Sequence, residues 1–322
     1  MRITLVIPSL SYGGTEKIVT AMANYWSARG QSITILTFEV EGTAAFYQVS
    51  NAVAVCQLNI FGDSESLAKG IVNNLRRITR LRKAIQATRP DIVISFLIRT
   101  NVRVLLAVRG SKIPVVVSDR SDPFVDQPGK LWTFLAQWLY PFAARIVVFT
   151  EHAASYFSAQ IRQKVKVFPN PVIVSPSATV NPNGKHNLVA VGRLEHEKGF
   201  DLLLRAFAKV RQQFPDLTMT IWGEGSQRYK LEALAQELAV QEAVSLPGTT
   251  RNIEHALSAA NLFVQTSRCE GFGNALCEAM AVGLPVIATD CSGPREIVRH
   301  GVDGLLVPVE DVDALATAIV DL

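Results

Sequence analysis

The sequence predicts an α/β protein of two doubly wound domains, and three features carry that prediction. Short apolar, β-branched runs alternate with helical patterns, the alternation stops at a proline-rich stretch, and it then resumes to the end of the chain. A length of 322 residues exceeds what one hydrophobic core usually supports, which agrees with two domains of about 150 residues each. Hydrophobic residues make up 48% of the chain, charged residues 19%, and mean hydropathy is +0.21, so there is apolar surface for two cores and disorder is excluded.

In the first half, residues 3–8, 32–38, 53–58, 92–96, 115–118 and 146–149 are continuous rather than alternating apolar runs, the pattern of strands buried on both faces of a parallel sheet. Helical periodicity at 15–29, 67–88 and 130–142 separates most of them. The stretch PNPVIVSPSATVNPNG then holds four prolines and favours an extended connection. The expected boundaries are a first domain at 1–170, a connection at 171–184 and a second domain at 185–322. Beyond the connection, strands at 187–191 and 217–222 alternate with helices at 200–213 and 227–239, followed by a helix from about Asn274 and short strands near Val244, Leu262, Val286 and Leu305. Doubly wound sheets bind ligands at the carboxyl ends of their strands, so two such domains are expected to face each other across a ligand-binding cleft.

Composition excludes several function classes. The four cysteines, Cys56, Cys269, Cys277 and Cys291, are too few for a disulfide scaffold and lack the CxxC spacing of zinc or redox sites, which fits a reducing cytosol. His152, His186, His196, His255 and His300 show no metal spacing, so no metal site is expected. The opening apolar run stops at Pro8, short of a signal peptide, and residues 134–150 are interrupted by Gln137, Pro141 and Arg145, short of a membrane span. A cytoplasmic chain without membrane helices is the expectation.

Charge divides unevenly: residues 1–170 hold 20 basic and 10 acidic side chains, the remainder 12 and 18. Much of the excess lies in residues 69–89, where Arg76, Arg77, Arg80, Arg82 and Lys83 flank an apolar stripe of Ile71, Leu75, Ile78, Leu81 and Ile85 at helical spacing. Such a helix either packs on the sheet with a solvated outer face or docks on an anionic membrane surface. No aromatic residue interleaves those charges and no nucleic-acid motif accompanies them, so nucleic acid is not an expected partner.

Four segments carry chemistry. SLSYGGTEK places Gly13 and Gly14 after the first strand, with Thr15 positioned to cap the next helix. A glycine pair there lets backbone N–H groups approach an anion at a helix N-terminus, or simply makes a tight turn. It lacks the GxGxxG and GxxxxGK[ST] spacings, which removes the main support for dehydrogenase and kinase readings. GRLEHEKGFD sets Gly192, Arg193 and Lys198 in a turn before a helix, cations suited to a diphosphate unless Glu195, Glu197 and Asp201 neutralise them as a surface cluster. In SRCEGFGNALCEAM, Glu270 lies in a loop and Glu278 about one turn inside the following helix, so both carboxylates can face one ligand and accept bonds from vicinal sugar hydroxyls. Free amides at Phe272, Gly273, Asn274 and Ala275 are placed to hold phosphate oxygens.

These residues resemble the retaining GT-B glycosyltransferases of the group-1, family 4 class, which use nucleotide-diphosphate sugars. The resemblance covers nearly the whole chain and rests on SYGGTE, GRLEHEKGFD, the GEG of IWGEGSQ, SLPG at residues 245–248 and the E-x7-E signature from Glu270 to Glu278. It implies that Arg193 and Lys198 bind the donor diphosphate, Glu270 the hydroxyls of the transferred sugar and Glu278 the ribose. Phe272, Gly273 and Asn274 complete that site, and Gly14 approaches from the other domain. It further implies a hexosyltransferase without an essential metal or other cofactor, in which fixed cations neutralise the leaving diphosphate. A nucleotide-sugar donor, most often a UDP-sugar, and a saccharide or polyprenyl-diphosphate-linked acceptor in bacterial surface-polysaccharide assembly follow from the same resemblance.

Two departures stand out. Many members carry a histidine in the loop after a middle strand of the acceptor domain, where VVVSDRSDP offers Asp119 and Arg120 instead. Arg120 is placed either to hold an acceptor anion or to pair with Asp122. The closing DVDALATAIVDL reads as the start of a helix that the family usually follows with a segment bracing the first domain, so the C-terminal end looks short. Two rival functions share the architecture: a silent nucleotide-sugar-binding subunit and a sugar-nucleotide epimerase.

Overall fold

A computed structural model describes residues 1–60, 67–125, 128–172 and 186–322, with backbone alone at 67–72. The chain divides into two compact units, Met1–Pro169 and Asn170–Leu322. Apart from Pro171 and Val172, the expected connection at 171–184 lies outside the described residues.

The first unit runs β1 Arg2–Val6, α1 Gly14–Ala28, β2 Ser32–Thr37, β3 Ala54–Gln57, α2 Leu67–Thr88, β4 Ile92–Phe96, α3 Ile98–Ala107, β5 Val115–Ser118, α4 Lys130–Leu139, β6 Arg145–Val148, α5 Glu151–Ser155, α6 Ala159–Arg162 and β7 Val165–Val167. Its strands form one parallel sheet in the order β3-β2-β1-β4-β5-β6-β7. The second unit runs β8 Asn187–Val191, α7 Phe200–Arg211, β9 Thr218–Trp222, α8 Arg228–Glu237, β10 Val244–Gly248, α9 Ile253–Ser258, β11 Leu262–Gln265, α10 Asn274–Ala281, β12 Val286–Thr289, α11 Ser292–Ile297, β13 Leu305–Val307 and α12 Val312–Asp321. Its parallel sheet has the order β10-β9-β8-β11-β12-β13.

The central strands of each sheet are buried on both faces, which is why they read as unbroken apolar runs, while the edge strand β3 is largely exposed. Along β8, Leu188 and Ala190 enter the core beneath α7, α8 and α12, while Val189 and Val191 enter the one beneath α9 and α10. In the first unit α1 covers one face and α2, α3 and α4 the other. Both sheets reverse their strand order at the centre, between β1 and β4 and between β8 and β11, so the loops leaving those strands diverge and open a crevice at the carboxyl edge.

Several elements differ from expectation. Helix α1 begins at Gly14, because the Gly13 carbonyl already accepts the Lys17 amide at 3.0 Å; Gly13 is the cap, and Thr15 sits inside the first turn without capping it. Helix α3, rich in β-branched residues, gives little helical signal, but a parallel β4–β5 pair needs a crossover and its burial of Val102, Val104 and Leu105 holds it helical. Leu75 is exposed rather than part of the buried stripe of α2, which consists of Ile78, Leu81 and Ile85. The Ile71 and Lys69 side chains lie outside the described residues.

Candidate active site

In the second unit, the loops after β8 and β11 meet at the reversal point. The first loop leaves β8 at Gly192, whose amide donates to the Trp222 carbonyl at 3.0 Å, and passes through a 3-10 turn at His196–Lys198. Gly199 then enters α7 with φ +65°, and a Cβ there would overlap the Thr266 carbonyl oxygen. Only glycine allows this approach. Thr266 Oγ1 donates to the Lys198 carbonyl at 3.0 Å, joining the two loops.

That junction brings Lys198 and Glu270 together. Lys198 Nζ donates to Glu270 Oε2 at 2.5 Å, the two side chains 19% and 17% exposed, and Ser267 Oγ donates to the same oxygen at 3.2 Å. Arg193 is elsewhere engaged: its side chain is 60% exposed and its guanidinium pairs with Glu197 at 2.8 Å. Glu195 accepts the Ser226 amide and hydroxyl, which hold its carboxyl below the usual range. Of the two expected diphosphate cations, therefore, one stands beside Glu270 and the other on the outer rim of its loop.

Glu270 is braced from behind by a segment whose role was not foreseen. Its carbonyl accepts Ser292 Oγ and the Gly293 amide, each at 3.0 Å, from the first turn of α11. A Cβ on Gly293 would overlap the Phe272 carbonyl oxygen. Thr289 Oγ1 donates to the Ser267 carbonyl at 2.6 Å. Arg268 grips Asp201 through two bonds of 2.8 Å and also bonds Glu310 and the His196 carbonyl; this holds the Asp201 carboxyl below its ordinary range. The readable signal for the brace was the polar, glycine-bearing CSGPRE that follows the strand.

Beyond the loop, α10 starts at Asn274 after Gly273, a cap with φ +110° and no side-chain bond to the helix. Its first amides, at Asn274 and Ala275, lack intrahelical acceptors and are directed at the reversal point. Asn274 Oδ1 accepts Asn170 Nδ2 at 2.7 Å. Phe272 and Glu278 are buried, Glu278 one turn into α10. Gln265, the last residue of β11, is buried beside Gly273 with its Nε2 unpartnered, another residue that sequence reasoning missed. A buried amide without an acceptor is costly unless a ligand completes it. Burial pushes the Cys277 and Cys291 thiols up to about 11, with the charges of Glu278 and Glu270 adding to it, which disfavours the thiolate at both.

In the first unit, Gly13 and Gly14 lie at the N-terminus of α1, on the carboxyl side of β1. Asp119 directly follows β5 and is buried: its Oδ1 accepts Tyr140 Oη at 2.6 Å and Asn101 Nδ2 at 2.8 Å, and Asn101 accepts Ser95 Oγ. Burial raises the Asp119 carboxyl to about 6, the two donors opposing that rise. The Arg120 guanidinium sits between the rings of Phe96 and Phe149, 5.0 and 4.5 Å from their centroids, and burial lowers it to about 9. Asp122 accepts the Phe124 amide and faces His152 Nε2 at 3.6 Å, with Phe124 packed on the imidazole. An imidazole thus reaches the loop after β5 from α5, which follows the neighbouring β6, through a proximity that sequence order concealed. Among the described residues, no group of three or more His, Cys, Asp or Glu could hold a metal ion, and no helix is long and apolar enough to cross a membrane.

Two doubly wound parallel sheets, with a cation–carboxylate pair and a helix N-terminus at the second reversal point, define a two-domain glycosyltransferase fold of the GT-B type. The profile described as glycosyl transferases group 1 matches residues 175–322, and that of glycosyltransferase family 4 matches residues 12–175. The chain belongs to this family and is a hexosyltransferase. It is 28% identical over 320 residues to the GalNAc-α-(1→4)-GalNAc-α-(1→3)-diNAcBac-PP-undecaprenol α-1,4-N-acetyl-D-galactosaminyltransferase of Campylobacter jejuni, covering 98% of this chain and 87% of that one. In fold it is similar to sucrose-phosphate synthase from Thermosynechococcus elongatus, with a TM-score of 0.84, 19% identity and coverage of 99% and 89%. It is likewise similar to Anabaena HepE in complex with UDP-glucose, with a TM-score of 0.78, 21% identity and coverage of 100% and 89%.

Proposed function

We propose that this chain is a retaining hexosyltransferase that moves a sugar from a UDP-sugar to a saccharide carried on polyprenyl diphosphate, in bacterial surface-polysaccharide assembly. The observation that carries the reading is the Lys198–Glu270 pair, set at the β8/β11 reversal beside the open amides of α10. The named acceptor of the Campylobacter relative supports the lipid-linked acceptor, and UDP-glucose in the HepE complex supports the donor.

In this reading the donor's diphosphate takes Lys198, Arg193 and the amides of Phe272, Gly273, Asn274 and Ala275, with Gly192 leaving room for close backbone approach. Glu270, released by Lys198, accepts the hydroxyls of the sugar, and Glu278 those of the ribose. Gln265 Nε2 finds its acceptor on the bound donor. The bond from the anomeric carbon to the β-phosphate oxygen breaks and that to the acceptor oxygen forms on the same face. The acceptor proton passes to the leaving diphosphate, whose charge Lys198 and Arg193 stabilise in place of a metal ion. Asp119 and Arg120 belong to the acceptor side, Asp119 by holding β5 in place and Arg120 as the cation nearest an acceptor anion. Residues 69–89 give the enzyme its electrostatic attraction to an anionic membrane surface, where such acceptors reside.

The test is transfer of radiolabel from UDP- and GDP-sugars into a lipid-linked acceptor pool. Label reaching the organic phase, with the donor's anomeric configuration kept in the product, is the expected result. Lys198→Ala and Arg193→Ala should each lower turnover by about 10² to 10³ while leaving thermal unfolding unchanged. Unchanged turnover in both would overturn the assignment, and altered free donor without transfer would point to epimerisation.

A further inference from the structure

Helix α4 carries apolar side chains on two of its faces, with Thr133 and Gln137 between them on the remaining side. Trp132, Leu135, Ala136 and Leu139 pack inward on the core of the first unit. Outward, Leu131, Phe134 and Trp138, joined by Phe142 in the 3-10 turn that follows, are 65%, 64%, 47% and 67% exposed. Spacings of three, four and four residues place these four on one face, and Trp138 meets Phe142 edge to face with centroids 6.4 Å apart. A large apolar face belongs inside a core or against lipid, and among the described residues α4 packs on protein through its inward face only.

The charge around this face has one sign. Helices α2, α3 and α4 together carry nine lysines and arginines and not one aspartate or glutamate, which decides what can cover them. The layer is knit by its arginines. Arg103 bonds Asn74 of α2 at 3.3 Å and lies 4.8 Å over the Trp132 ring. Arg109, just beyond α3, lies 5.2 Å over Trp138, and Arg82 of α2 donates to its carbonyl at 3.4 Å. Arginine beside tryptophan at the rim of an apolar stripe suits the level of lipid headgroups. A second copy is a poor occupant, because symmetric pairing would set this cationic layer against itself.

We propose that the outward face of α4 inserts into the headgroup boundary of an anionic bilayer, with Leu131, Phe134, Trp138 and Phe142 as the buried anchors and the arginines of α2 and α3 as the attracting rim. The proposal rests on the membrane reading above and deepens it: α2 attracts, and α4, not α2, enters the lipid. An interfacial helix of this kind buries its apolar face roughly 5–10 Å deep.

Flotation with phosphatidylglycerol-rich vesicles, and quenching of Trp138 by lipids brominated near the headgroup end of the chain, test it. Wild type should float and be quenched, the quenching lost in Trp138→Phe. The triple variant Leu131→Gln, Phe134→Gln, Phe142→Gln should lose binding about tenfold or more at moderate salt, with its residual binding abolished by high salt. Thermal unfolding of the triple variant checks that it folds, and Phe134→Leu should keep wild-type binding. If the triple variant floats and is quenched like wild type while Arg76→Glu, Arg77→Glu, Arg80→Glu does not float, insertion by α4 is overturned and the membrane reading stands. If wild type neither floats nor is quenched, or pairs with itself or an acidic protein through this face instead, both fall.

Discussion

Both units wind outward from a central strand pair, yet the acidic groups at their carboxyl edges have opposite fates. In the second unit Glu270 stays within reach of solvent, held by one ammonium and one hydroxyl that a ligand can replace. In the first, Asp119 is enclosed, and both donors on it come from core-facing side chains, Tyr140 and Asn101. The outer helices diverge as well. Helices α7, α8 and α12 carry five basic and five acidic residues, tied by pairs such as Arg228 with Glu224 and Glu232 and Lys209 with Asp313. The α2–α4 layer has cations alone. A doubly wound sheet dictates where a crevice opens, while the loop residues and the outer helix faces decide what each copy of the fold meets.

The sharpest way to break this comparison is through Asp119. Its folded carboxyl lies at about 6 against an ordinary 3.8, so the folded unit holds its proton more tightly than the unfolded chain. Stability from this group is full below pH ~4 and falls as pH rises through about 6, by on the order of 3 kcal/mol. Asp119→Asn should remove that slope from the pH dependence of unfolding; an unaltered slope would mean the carboxyl is not enclosed. Next in size, Gly199→Ala should cost at least about 2 kcal/mol and disturb the Lys198–Glu270 junction, from left-handed strain and overlap with Thr266. Gly13→Ala, at φ 168°, meets only the movable Glu16 side chain and should cost less than about 0.5 kcal/mol. Equal losses in unfolding experiments would erase the distinction between a packed junction and an open turn. Below Gly199→Ala in size, Ser292→Ala removes one of two donors to the Glu270 carbonyl and should cost about 1 kcal/mol, seen as a modest rise in donor KM. An unmoved KM would show that the Gly293 amide alone suffices.

The strands were legible because burial on both faces writes continuous apolar runs, and the reversal points follow from their order. Lys198 was legible from the turn it shares with Arg193, and Glu270 from its place just before the helix that starts at Asn274, whereas their pairing joins segments 72 residues apart. What escaped depends on contacts between distant segments: Arg268 on Asp201, Ser292 and Gly293 behind Glu270, His152 beside Asp122. Helix α3 escaped for a different reason, since topology rather than propensity makes it helical. The exposed aromatics of α4 were visible as hydrophobic residues, but only packing shows which of them the core leaves out.

The contact between Lys198 and Glu270 also bears on turnover. Any incoming phosphate competes with an acid already seated on that amine, so donor affinity is the difference between two attachments rather than the strength of one. The same competition works in reverse once the sugar has departed: the carboxylate can reclaim its partner, loosening the spent nucleotide and emptying the site for the next cycle.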